Sequence, residues 1–152
     1  MIIQSSVFQE GARIPAQYTC DGIDTHPPLM FSDIPNNAES LVLLMDDPDV
    51  PKNIRPDGMW DHWVVFNMPP GTREIAEGVR APGVYGKNTG GKMAYGGPCP
   101  PDREHRYFFK LYALDIILDF SEGVSKADIE QAMEGHVLAK AELMGTYTRQ
   151  RE

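Results

Sequence analysis

Three short segments gather the residues of this chain whose types could do chemistry: DDPDVP at 46–51, WDHW at 60–63 and GGPCPPDREHRYFFKLYALD at 96–115. In the first, two prolines fix the backbone around Asp47 and Asp49, and such carboxylates either satisfy nearby amides as an Asx turn or face a site. In the second, His62 stands between the only two tryptophans of the sequence. A histidine so placed is either a hydrogen-bonded, partly buried residue or the imidazole of an aromatic-walled pocket. In the third, Gly97-Pro98 permits close and rigid backbone approach. His105 and Tyr107 lie two apart, so on a strand they share one face while Arg106 points to the other.

Brought to one cleft, these side chains support several chemistries. Imidazoles and a phenol can donate hydrogen bonds to a phosphate or a carboxylate. Two histidines and a carboxylate can ligate a metal, although nothing here has a diagnostic spacing such as His-Glu-x-x-His. Cys99 near His105 could pair a nucleophile with a base, but no sequence signature supports it, and there is no Gly-x-Ser-x-Gly elbow.

GKNTGGKM, residues 86–93, nearly matches a nucleotide phosphate loop, with Met93 where a hydroxyl should hold magnesium. The required helix cannot follow, because MAYGGPCPPDRE breaks it with prolines and glycines. The stretch reads instead as a tight turn in which Asn88 and the paired glycines tolerate positive φ.

The elements that must position these residues read as strands. Residues 2–8 form a candidate edge strand, 41–45 a buried strand, 62–68 a strand stopped by Pro69-Pro70-Gly71, and 106–118 a strand apolar on both faces. Ser125 with Asp128 starts one helix and Gly135 stops it, with Ile129, Ala132 and Met133 on one face. Residues 136–147 mix helix-favouring types with strand-like alternation, and are taken as a strand. Residues 81–104 lack apolar periodicity, which makes them the place to look for function.

The length of 152 residues suits one domain spanning 1–152, and 13 prolines with 14 glycines lean toward a β-rich fold. A net charge of −8 argues against nucleic-acid or anionic-membrane partners, while leaving room for a local anion pocket. Cys20 and Cys99 do not make a disulfide framework, so reduced thiols are expected. The first residues lack a signal-peptide pattern and no apolar run is long enough to span a membrane, so a cytoplasmic protein is expected.

Taken in order, YTCDGIDTHPPL, DDPDVP, DHWVVFNMPPG, YGGPCPP, HRYFFKLYALD and GHVLAKAELMGTY resemble the phosphatidylethanolamine-binding protein (Raf kinase inhibitor protein) family, in its bacterial and archaeal branch. The resemblance covers nearly the whole chain. It implies a mostly β fold: a two-sheet antiparallel Greek-key sandwich with one or two short helices and a small anion pocket at strand ends. By position, the family's pocket residues correspond to Asp47, Pro51, His62, Gly97, Pro98, His105 and Tyr107. His62, His105 and Tyr107 would donate to the ligand, with Asp47 charging one imidazole. The ligand implied is phosphate, phosphorylethanolamine or a carboxylate, bound without cofactor, metal or catalytic residue. A kinase or phosphoprotein partner is the alternative, a hydrolase using the same His and Asp residues the less favoured one, and a homodimer is implied.

Departures from the family pattern are Cys99 after the Gly-Pro step, Phe31 where a tryptophan is common, His26 for a small polar residue, and the lack of the longer carboxy-terminal segment of mammalian members. They imply a more open pocket.

Overall fold

The computed structural model describes residues 1–149. The central strand is β3 (Ser40–Asp47), in which all eight residues are buried. Such a strand needs cover on both faces. Leu41, Leu43 and Met45 face a core shared with the second sheet, and Val42 and Leu44 face a smaller core under the helix.

β3 lies between β4 (Trp60–Met68) and β7 (His105–Leu114), antiparallel to each. β8 (Val137–Tyr147) pairs with β7 along its length, and β6 (Val84–Tyr85) with β4, completing a five-stranded sheet. The second sheet has three antiparallel strands, β1 (Ile2–Gln4), β2 (Leu29–Ser32) and β5 (Glu74–Ile75). Ile3, Leu29, Phe31 and Ile75 pack from it onto the five-stranded sheet.

The expected strands are present with trimmed ends. The amino-terminal strand ends at Gln4 and the 106–118 strand ends at Leu114, while β2, β5 and β6 carry too few residues for a readable period. The alternative at 136–147 resolves as strand because β7 supplies a ladder from His105↔Tyr147 to Leu114↔Val137. Tertiary pairing outweighs the local helix preference. The outer edge of β8 is covered by residues 11–14: Gly11 N–H donates to Met144 O at 2.7 Å and Ile14 N–H to Thr146 O at 2.8 Å.

Helix α1 (Lys126–Met133) starts as expected, with Ser125 Oγ accepting from Asp128 N–H at 3.1 Å, and Gly135 adopts φ +80° just past its end. Ile129 and Met133 are buried against the outer face of β3 and β4. Lys126 is buried too, with Nζ 3.0 Å from Asp46 and 2.8 Å from Asp61. Burial alone would lower the ammonium's pKa, but the two carboxylates outweigh it and hold the group charged.

One expectation is overturned. Cys20 and Cys99 are joined by a disulfide, with Cα atoms 5.4 Å apart. Turn hydrogen bonds bring them together: Cys20 N–H donates to Pro98 O at 3.1 Å and Gly97 N–H to Asp24 Oδ1 at 2.9 Å. Two cysteines separated by 79 residues carry no sequence sign that the fold will bring them within bonding range. Unreduced, denatured protein is therefore expected to show no thiol toward a thiol-specific reagent, and two after reduction. The Cys20→Ser/Cys99→Ser variant should be destabilised by about 2–4 kcal/mol in denaturant titration.

Candidate functional site

A cleft of about 440 Å³ opens where the ends of β3, β4 and β7 meet the 86–101 loop. Its position follows from the end of β3. Strand alternation sends Asp46 to the helix side, where Lys110 and Lys126 meet it, and Asp47 to the opposite side, against His105.

His62 reaches the same side by a different device. β4 bulges there: Met45 pairs with Trp63 and Asp46 with Asp61, so one step along β3 spans two along β4. Simple alternation would turn His62 away from Trp63. As the extra residue it instead meets the edge of the Tyr107 ring at 5.3 Å between ring centres, on the cleft side.

The bulge also secures the loop. His62 Nδ1 lies 2.7 Å from Gly96 O and must donate to it, since a carbonyl only accepts; Gly96 N–H returns a bond to His62 O at 2.9 Å. Nε2 is then the ring nitrogen left without a partner among the described residues. Burial pulls the imidazole's pKa below its ordinary value, against the opposing pull of the Gly96 carbonyl and of Asp47.

His105 is fully buried between two carboxylates, with Nδ1 2.6 Å from Asp47 Oδ2 and Nε2 2.6 Å from Asp102 Oδ1. Both contacts are hydrogen bonds only if the ring carries two protons or one carboxyl carries one. The expectation that His105 donates to a ligand is therefore corrected, because neither ring nitrogen is free. Asp47 serves a second purpose: Oδ1 accepts from Asp49 N–H at 2.7 Å, the Asx turn expected for DDPDVP. Asp49 in turn grips Arg106, from Oδ2 to Nε at 2.9 Å and from Oδ1 to Nη2 at 2.8 Å.

Of the residues expected at a site, Asp47, His62, Gly97 and His105 line the cleft. Pro51, Pro98 and Tyr107 stand behind the lining. Pro51 O closes the adjoining turn by accepting from Ile54 N–H at 2.9 Å, and Pro98 O holds Cys20. Tyr107 has no exposed surface and its hydroxyl has no partner among the described residues. Burial, reinforced by Asp47, pushes that hydroxyl well above its usual pKa and keeps it protonated.

The sequence did not single out Asp24 or Asp102, and Lys92 figured only in the phosphate-loop match that fails. Asp24 lines the cleft in a left-handed backbone conformation at φ 64°, and burial raises its carboxyl pKa despite the Gly97 amide and Lys92. Its only sequence sign is its place in CDGIDTH. Asp102, three residues before His105, sits in an exposed loop with no periodicity.

The 86–93 stretch is the tight loop expected, but by another means. Asn88 does not take positive φ; it is buried, with Oδ1 accepting from Lys92 N–H at 2.9 Å and Nδ2 donating to Ala94 O at 3.0 Å. Gly91 takes the left-handed turn at φ +84°. The loop turns Asn88, Gly90 and Lys92 into the cleft wall.

Comparisons with known proteins agree over nearly the whole chain. The family model described as phosphatidylethanolamine-binding protein matches residues 4–148. A UPF0098 protein of Chlamydia muridarum is 52% identical over 147 residues, covering 97% of this chain and 98% of its own. One from Methanothermobacter thermautotrophicus is 46% identical, covering 98% and 99%. Among solved structures, a putative phosphatidylethanolamine-binding protein homolog from Chlamydia trachomatis superimposes with a TM-score of 0.95 at 49% identity, over 98% of this chain and 97% of that one. Escherichia coli YbcL, described as a member of the mammalian family, gives 0.86 at 26% identity, over 97% and 98%.

Two outcomes check this geometry. A Cβ on Gly97 would lie 2.1 Å from Asp24 Oδ1 and 2.4 Å from Tyr18 O, so Gly97→Ala should push the loop off residues 18–24 and lower the melting temperature. Arg106 holds the Asp49 carboxyl below its ordinary pKa, against partial burial. That stabilisation is complete above the unfolded carboxylate pKa of about 3.9 and lost as pH falls through the lower folded value. The stability gap between wild type and Asp49→Asn should therefore hold near neutral pH and close in acid.

Proposed function

The chain belongs to the phosphatidylethanolamine-binding protein family, and on that premise we propose that it is a non-enzymatic binding module. The cleft holds a small anionic, phosphate-like group: phosphate, phosphorylethanolamine or a carboxylate. The observation that carries this reading is His62, the imidazole of a concave site whose Nδ1 is committed to Gly96 and whose Nε2 has no partner among the described residues. Few convergent polar groups in an otherwise apolar concavity suit a small ligand. Asp47 and His105 set the charge behind the ligand, Gly97 forms its rim with Pro98 behind it, Pro51 steadies the neighbouring turn, and Tyr107 backs the His62 ring.

Binding rather than covalent chemistry is supported by the state of the candidate reactive groups. Both cysteines are tied in the disulfide, and His105 has no nitrogen left to act as a base toward a nucleophile. The sequence suggests the cytoplasm, whereas a disulfide favours an oxidising compartment.

A second reading, in which the cleft reads a phosphorylated side chain on a kinase or other phosphoprotein, is favoured by exposed apolar residues beside it. Ile54, in the cleft wall, is 47% exposed, and Ile23, next to Asp24, is 84% exposed. Capture of a partner that is lost on phosphatase treatment separates this reading from small-ligand binding.

Calorimetric titration with phosphate and O-phosphorylethanolamine tests the first reading. Protonation turns His62 Nε2 into a donor, so affinity is expected to rise as pH falls through and below the ordinary imidazole range, and His62→Ala to abolish the heat. No heat at acid or neutral pH contradicts it.

A further inference from the structure

Resting on the reading that this cleft is the anion site, we infer that His62 makes it selective for an oxyanion that brings its own proton. A phosphate monoester or inorganic phosphate fits; a phosphodiester or sulfate does not. The Gly96 carbonyl forces the proton of the neutral ring onto Nδ1, so Nε2 meets the ligand as a lone pair. An oxygen carrying a proton can donate to that lone pair. A bare oxygen set against it has two acceptors facing each other, an arrangement that specific sites use to reject close analogues.

The surroundings of His62 favour the same choice. From β3 it faces Asp47, with Asp46 beyond; from β7 it faces His105 and Tyr107; Asp24 and Lys92 line the cleft from the loops. His105 is already engaged by Asp47 and Asp102 on its two nitrogens, which leaves Lys92 as the one lining ammonium. With Asp47 paired to His105, Asp24 against one exposed lysine still offers little to a ligand with a full double negative charge and suits one whose charge a proton has reduced. Burial keeps the His62 ring neutral to lower pH than an exposed imidazole, which widens the range over which this selection acts.

A phosphate monoester takes up its second proton near pH 6, whereas sulfate and dimethyl phosphate have no proton to offer at that pH (about 6). The inference therefore divides ligands that charge and size alone would group together. It also separates a soluble or terminal phosphate from the diester of an intact phospholipid.

Isothermal titration of the wild-type protein at about pH 6.5 with monomethyl phosphate, dimethyl phosphate, inorganic phosphate and sulfate tests it. Monomethyl phosphate and phosphate should each bind at least about tenfold more tightly than dimethyl phosphate and sulfate. His62→Gln, whose amide can donate as well as accept, should narrow that gap. The imidazole ¹⁵N shifts of the wild type should keep Nδ1 as the protonated nitrogen when monomethyl phosphate binds. Equal affinity for the monoester and the diester overturns the selection while leaving anion binding intact. Failure of all four to bind overturns the anion site itself. Co-sedimentation with phosphatidic acid vesicles, whose headgroup is a monoester, covers the lipid source: competition by monomethyl phosphate alone fits the inference, and equal competition by dimethyl phosphate contradicts it.

Discussion

Two carboxylates buried side by side at the end of the central strand govern much of this structure. Asp46 and Asp47 are 1% and 3% exposed, and ionised groups at such depth are tolerated only with partners. Because neighbouring residues of a strand face opposite ways, the partners come from opposite sides of the sheet. Lys110 and Lys126 meet Asp46 under the helix, and His105 with the Asp49 amide meets Asp47 at the cleft. The start of α1, the head of β7 and the DDPDVP turn are all anchored on that one dipeptide.

The cleft adds a second constraint on top. The bulge in β4 moves His62 across the sheet, and its paired hydrogen bonds with Gly96 fasten the glycine- and proline-rich loop to the strand edge. The disulfide and the Asp24–Gly97 bond hold the far side of that loop against residues 18–24. A segment with no regular ladder of its own beyond β6 is thus fixed by a few specific contacts. Those contacts also determine which nitrogen of His62 is left without a partner among the described residues.

Much of this was legible in the residues, and the failures have physical causes. Long apolar runs declared β3, β4 and β7, and the Ser125 capping pattern declared α1, because burial and capping leave periodic or local marks. β2 and β5 left none, being four and two residues long. His62 was recognisable as a candidate from its aromatic neighbours, yet its side of the sheet depends on a register shift that no period-two rule contains. His105 and Tyr107 were rightly put on one face, since that needs only alternation. The roles expected of them differ from what is found, because Asp102 and the packing around Tyr107 arise from tertiary contacts. The Cys20–Cys99 bond belongs to the same class: its partners meet through backbone turns far apart in sequence.

The central claim is that a bare His62 Nε2 is the atom this cleft offers to its ligand. A crystal structure of the protein with monomethyl phosphate at neutral pH tests that most directly. A phosphate oxygen is expected within hydrogen-bond distance of Nε2, with the Nδ1–Gly96 bond and both His105–carboxylate contacts unchanged. An ester bound elsewhere, or one that displaces Asp47 or Asp102 to bond His105 while leaving Nε2 untouched, would contradict it.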